Sequence, residues 1–200
     1  MKGVIYKKVI SLFGFLFFIL GILAVINSLL NPEIANFLWL CYISLILIGL
    51  GMFLRNSFLI VLQLNIITIP LIFWNIDFFY QLIVGQTLFG VTDYLFEGGL
   101  NSLGNFITLQ HIYILPLAFY SIYKIGFKRK NLWVFSFIEI IFIFLLSVFF
   151  LRESNTNCAF ESCVNFISIS GWRYSFLWFV VGFAVIFLVN YILTKVFVRG

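Results

Sequence analysis

Six uninterrupted apolar runs, over 9–30, 37–54, 58–73, 106–123, 132–151 and 174–194, take up most of this 200-residue chain. Each is close to the roughly 20 residues that carry a helix across a bilayer. A chain in lipid must satisfy its backbone polar groups internally, which leaves helices or closed barrels. None of these runs alternates apolar with polar at period two, so the barrel is excluded. The composition agrees: 64% hydrophobic and 10% charged, against about 45–50% and about 25% in soluble domains. Twenty-eight phenylalanines exclude disorder. The expected fold is therefore all-α, a polytopic transmembrane helical bundle forming a single integral membrane domain over 1–200.

Charge placement sets the expected topology. The first run follows Lys2, Lys7 and Lys8, is longer than a signal-peptide core and precedes no small-residue cleavage site, so it reads as an uncleaved helix. Cytoplasmic loops are enriched in Lys and Arg. With six crossings, the N-terminal lysines, Arg55, Lys124, Lys128, Arg129, Lys130, Lys195 and Arg199 share one side, ten of the 12 basic residues. The other side receives Glu33, Asp77, Asp93, Glu97, Glu153 and Glu161, with Arg152 and Arg173. A seventh apolar candidate, 78–96, is interrupted by Gln81, Gln86, Thr87, Thr92 and Asp93. Counting it spoils the segregation, so six crossings in the cell membrane with both termini cytoplasmic is the expectation and seven the alternative. The net charge of +5 then needs no nucleic acid.

The segment 77–105 is the odd piece. Read as a helix, Gln86, Gly90, Asp93 and Glu97 share one face, and Asp77, Gln81, Gly85 and Thr92 lie roughly opposite. Polar groups on both faces are costly in hydrocarbon. The segment is expected as a re-entrant or surface helix, followed by a turn at Gly98, Gly99, Asn101 and Gly104.

The chemistry available is narrow. His111 is the sole histidine, and three scattered cysteines do not complete a four-ligand zinc site. There is no HExxH, P-loop, dinucleotide fingerprint or nucleophile elbow. No metal and no cofactor are expected. His111 sits about a turn and a half into its run, roughly 8 Å from the outer end, and Pro116 frees the carbonyl of Ile112 five residues on. The imidazole is a candidate general base, with Asp77, Asp93 or Glu97 to orient it and Thr92 or Ser102 as nucleophile. The plain alternative is one hydrogen bond to a neighbouring helix.

Glu139 is the second ionisable group within a run, on a stripe with Ser136 and Ser147. Proton or cation coupling competes with an interhelical hydrogen bond to Asn65 or Asn190. Cys158 and Cys163, at i and i+5 in the segment 152–170, are a candidate disulfide on an oxidising side. Cys41 reads as packing. The five tryptophans read as interfacial aromatics, and the 124–130 loop as a topology determinant facing anionic lipid.

Four elements come in order: Asn75-Ile76-Asp77-Phe78-Phe79, Gly90-Val91-Thr92-Asp93-Tyr94-Leu95-Phe96, His111-x4-Pro116-Leu117 and Gly126-Phe127-Lys128-Arg129-Lys130. Over about 77–157 this resembles a family of uncharacterised prokaryotic multi-pass membrane proteins, and Asn155-Thr156-Asn157 echoes its Asn-rich outer loop. The resemblance implies grouping Thr92, Asp93, Tyr94 and His111. Where a Pro-Thr-His element would stand, this chain has Asn190-Tyr191-Ile192. A fainter likeness is to multi-pass lipid hydrolases and acyltransferases that pair an intramembrane Thr with a His, here Thr92 and His111.

Three functions stay open. The first is a lipid-active hydrolase or acyltransferase with His111, Thr92 and Asp93 as its catalytic set. The second is a small-molecule transporter or substrate-binding subunit, similar in size and six-helix form to vitamin-uptake subunits. There Asp77, Gln81, Gln86, Tyr94, Glu97 and Glu139 would bind, although the first helix lacks the alanines four apart that such subunits dock with. The third is a structural or assembly protein. Membrane lipid is the expected surrounding partner, with a lipid or small-molecule ligand under the first two readings.

Overall fold

The computed structural model describes residues 2–30, 38–98, 101–128 and 130–198, apart from the side chains of 2–5 and 150. The Lys2 side chain, Glu33, Gly99, Arg129 and Arg199, all used above, lie outside that set. The elements are α1 Lys2–Leu30, α2 Leu40–Phe53, α3 Ser57–Val84, the single-turn α4 Asp93–Phe96, α5 Ser102–Thr108, α6 Gln110–Ile125, α7 Trp133–Phe150 and α8 Gly171–Phe197. Among the described residues, β pairing amounts to two isolated bridges, Phe127–Val198 and Glu161–Ser170.

Four spans are long and apolar enough to cross a membrane: Tyr6–Leu30, Ser57–Val84, Ser102–Ile125 and Gly171–Phe197. Leu40–Phe53 and Trp133–Phe149 are apolar but shorter. At 1.5 Å per residue, the 14 residues of α2 reach about 21 Å, less than the roughly 30 Å of a hydrocarbon core. Many large apolar side chains face outward, among them Ile83, Phe176 and Val196. Water would not tolerate such a surface, whereas lipid is its natural solvent.

The third run extends further than its apolar stretch. α3 continues through Trp74 and Asp77 to Val84, where Gly85 adopts the left-handed conformation (φ 82°) and donates its amide to the Gln81 carbonyl at 2.9 Å. The stretch 78–96 therefore forms no separate membrane-length helix. Its first seven residues complete α3, and 85–92 is a loop turned at Gly85 and Gly90, both at positive φ. The shared helical face expected for Gln86, Gly90, Asp93 and Glu97 does not exist. In the fourth run, α6 is continuous through Pro116, and a break falls at Leu109, between α5 and α6.

α1 and α2 run antiparallel. Ser11 near the start of α1 donates to the carbonyl of Phe53 at the end of α2 (3.2 Å). Between them the backbones approach so closely that a Cβ on Gly14 would collide with Phe53, and one on Gly49 with Phe18. Close approach through small residues is how helices gain dispersion contacts in lipid, where no hydrophobic drive separates them from solvent. At the other end, Asn101 caps α5 by accepting from the Gly104 amide (2.7 Å) and donates to Asn27 of α1 (3.1 Å).

This arrangement separates charge in space. The start of α1, the α2–α3 turn, the α6–α7 loop and the end of α8 share one end, with Lys7, Lys8, Arg55, Lys124, Lys128, Lys130 and Lys195. Asp93 at the start of α4 and Glu97, Glu153 and Glu161 in the loops lie at the opposite end, and Asp77 two turns before the end of α3. There the 85–98 and 152–170 loops meet: the Asn165 amide donates to the Phe89 carbonyl (2.9 Å), and the Phe89 and Phe166 rings lie 6.3 Å apart.

Candidate functional site at the acidic end

Asp77 is fully buried and organises the loop beyond α3. Its Oδ1 accepts from the amides of Leu88 (2.7 Å) and Phe89 (2.6 Å). Its Oδ2 accepts from the Thr92 amide (2.9 Å) and hydroxyl (2.8 Å). A carboxylate holding four donors satisfies a loop whose amides would otherwise be orphaned near the bilayer. This explains why α3 can end there: the backbone finds partners on a side chain two turns back. Asp93 is held by Thr87, whose hydroxyl donates to it at 2.5 Å, and by a longer contact from Asn165 (3.5 Å).

One aromatic stack spans the cluster. The His111 ring stacks on Trp74 with centroids 4.6 Å apart and planes at 27°. Trp74 also stacks on Phe78 at 5.1 Å. The Trp74 indole N–H donates to the Tyr94 hydroxyl (3.0 Å), and Tyr94 meets Trp39 edge-on at 6.4 Å. Burial pushes the Tyr94 phenol above its usual range, which keeps its proton in place. Trp74 is itself buried and is no interfacial belt residue. Asn75 donates to the carbonyls of Leu71 (2.7 Å) and His111 (2.9 Å), tying α3 to the first turn of α6.

His111 is buried, with Nδ1 2.6 Å from the Thr108 carbonyl. A carbonyl only accepts, so Nδ1 carries the proton and the neutral ring leaves a lone pair on Nε2. The carboxylates expected to orient His111 are engaged elsewhere, Asp77 and Asp93 with the 85–92 loop. Thr92 gives its hydroxyl proton to Asp77. The nucleophile–base–carboxylate relay that acyl transfer requires is thus not formed by hydrogen bonds between these groups.

Beside His111, Gln110 is wholly buried and neither its amide nitrogen nor its oxygen has a partner; the indole nitrogen of Trp39 is also unpartnered. Gln81, of the expected binding set, has an unpartnered buried oxygen, whereas Gln86 and Glu97 are exposed. Gln110 is not singled out by the sequence, where a single amide looks ordinary, and Trp74 and Trp39 read there as interfacial aromatics because they stand near run ends. Gln110 standing next to the sole histidine was the available signal.

Glu139 lies apart from this cluster, nearer the basic end. Its two oxygens accept from Nε2 of Gln63 (both 2.8 Å), and the Gln63 oxygen accepts from Ser44 (2.7 Å). The partner is Gln63 and neither Asn65 nor Asn190. Those two form a separate link: Asn65 donates to Ser136 (3.1 Å) and Asn190 (3.4 Å), and Asn190 to the Lys130 carbonyl (2.8 Å). Ser147 binds Asn157 instead (3.2 Å).

Cys158 and Cys163 form a disulfide with Cα atoms 5.6 Å apart, and Cys41 is free. The same loop is anchored by Asn157. Its side chain accepts from the Leu40 amide (2.8 Å) and donates to the Leu38 carbonyl (3.0 Å), while its carbonyl receives the Trp178 indole N–H (3.1 Å). Among the described residues no group of three or more His, Cys, Asp or Glu is placed to hold a metal ion. No protein family, no curated protein and no solved structure matches this chain.

Proposed function

We propose that this is a six-crossing membrane protein with both termini on the cytoplasmic side, and that its acidic-end cluster binds a small molecule or a lipid. The crossing number and orientation are supported by the separation of basic and acidic ends. The binding reading rests on Gln110, a fully buried amide with both polar atoms unpartnered beside His111. Burying an amide without partners costs several kcal/mol in an apolar setting, about 2–7 depending on reference state. A bound polar group that satisfies Gln110 removes that cost, and the stacked His111, Trp74 and Phe78 rings supply an aromatic wall of the kind ligand sites use. A carrier or binding subunit is favoured over a hydrolase because His111, Thr92 and the two aspartates are not linked.

The test is mass spectrometry of small molecules and lipids that co-purify with the full chain. Wild type should carry a defined species that is depleted in an equally stable Gln110→Leu variant. Identical profiles in the two proteins would sink the binding reading. A second reading keeps the hydrolase or acyltransferase, since the Thr108 carbonyl fixes the tautomer that leaves Nε2 basic. Under it, the co-purified species is converted on incubation and His111→Ala abolishes the conversion.

A further inference from the structure

A cavity at the basic end lies far from His111. It has a volume of about 500 Å³ and is lined by Asn56, Ser57, Phe58, Gly126, Phe127, Lys128 and Leu132. Three helix ends frame it: the start of α3, the end of α6 and the start of α7. Its chemistry is divided. Phe127 and Leu132 are buried and form an apolar floor, held in place where Phe127 bridges to Val198. The rim carries the Asn56 amide, the Ser57 hydroxyl and the Lys128 ammonium. Arg55 immediately precedes Asn56, and Lys130 lies between Lys128 and Leu132.

Charge on this rim is unbalanced. The described acidic residues lie at the opposite end or, for Asp77 and Glu139, within helices where they are bound to other groups. Arg55, Lys128 and Lys130 are exposed, so the opening presents a positive rim over an apolar floor, at the level where helix ends meet the headgroup layer. Phe58 continues the floor sideways: it packs edge-on against Phe135 of α7 at 5.3 Å, and Phe135 is 45% exposed toward the surroundings of the bundle. A ligand filling this shape needs an anionic head for the rim and an apolar chain for the α3–α7 seam.

We infer that this cavity is a binding site for the headgroup of an anionic phospholipid, with an acyl chain lying along Phe58 and Phe135. Lysine near a membrane surface contributes about 1 kcal/mol to attraction for anionic lipid, which is about fivefold in affinity. The assignment is independent of which side of the membrane the basic end faces and of what the His111 cluster binds.

Lipid retention by the full-length chain, purified in neutral detergent and titrated with phosphatidylglycerol or phosphatidylcholine, tests it by native mass spectrometry. Wild type should retain phosphatidylglycerol in preference. Lys128→Gln should weaken that preference about fivefold, and Ser57→Phe, which fills the cavity without removing charge, should weaken it as well. Lys195→Gln, a charge loss at the same end away from the lining, should leave it within twofold. Equal losses for Lys128→Gln and Lys195→Gln would mean diffuse attraction and overturn the site. Absence of any preference in wild type, full retention by Ser57→Phe, or displacement by inorganic phosphate as effective as by lipid would overturn it too.

Discussion

Asp77 and Thr92 are joined twice, the same carboxylate oxygen accepting from the Thr92 amide at 2.9 Å and from its hydroxyl at 2.8 Å. With Leu88 and Phe89 on the other oxygen, one side chain closes the whole loop after α3. Replacing Asp77 with Ala leaves three backbone amides without partners, at about 1–3 kcal/mol for each unsatisfied group. Asp77→Ala should therefore lower the thermal midpoint in detergent well below that of Asp93→Ala, whose carboxylate holds side chains alone. Equal midpoints for the two variants would refute this role.

Gly90 and Gly85 share a positive φ, 81° and 82°, but differ in surroundings. A Cβ on Gly90 would collide with the Asn165 side chain, whereas one on Gly85 meets nothing within 4 Å. Gly85→Ala should cost only the left-handed strain, about 1–2 kcal/mol. Gly90→Ala should cost more and should loosen the contact between the 85–98 and 152–170 loops. Hydrogen exchange at the Asn165 amide is the readout: faster exchange in Gly90→Ala than in Gly85→Ala is expected, and equal protection would count against it.

Gln63 and Glu139 stabilise the α3–α7 contact as a pair. Glu139→Leu strands the Gln63 amide, and Gln63→Leu strands the carboxyl, so each single change should destabilise by about 1–3 kcal/mol. The double change to leucines removes both polar groups and leaves only the Ser44 hydroxyl without its acceptor, so it should cost less than the sum of the two single changes. A double-mutant cycle in detergent measures this; strict additivity of the two losses would show that the residues act separately.

Thiol accounting checks the 152–170 loop. Denatured under non-reducing conditions, the chain should take up one maleimide, on Cys41; after reduction it should take up three. Three labels without reduction would remove the Cys158–Cys163 bond from the account of this loop.

The sequence by itself determined the class of structure. Long apolar runs leave the backbone no partners except its own, and that dictates helices in lipid whatever the packing. It also determined which residues end up together by charge, since basic residues recur at every second inter-helix turn. It did not determine where helices stop or which polar groups meet. The 78–96 stretch is apolar enough to read as a crossing, and only the folded chain shows Asp77 drawing the amides of 88–92 around itself, so that a loop replaces a helix. His111 was visible as an ionisable group within a run. Its ring partner Trp74 comes from α3, and Tyr94 reaches Trp74 from α4, so local periodicity carries no information about contacts between them. Likewise Glu139 is bonded to Gln63, not Asn65, because the rotation of α3 against α7 sets which of two nearby amides faces the carboxyl. Those choices are made by packing and hydrogen-bond geometry between helices, which no single helix encodes.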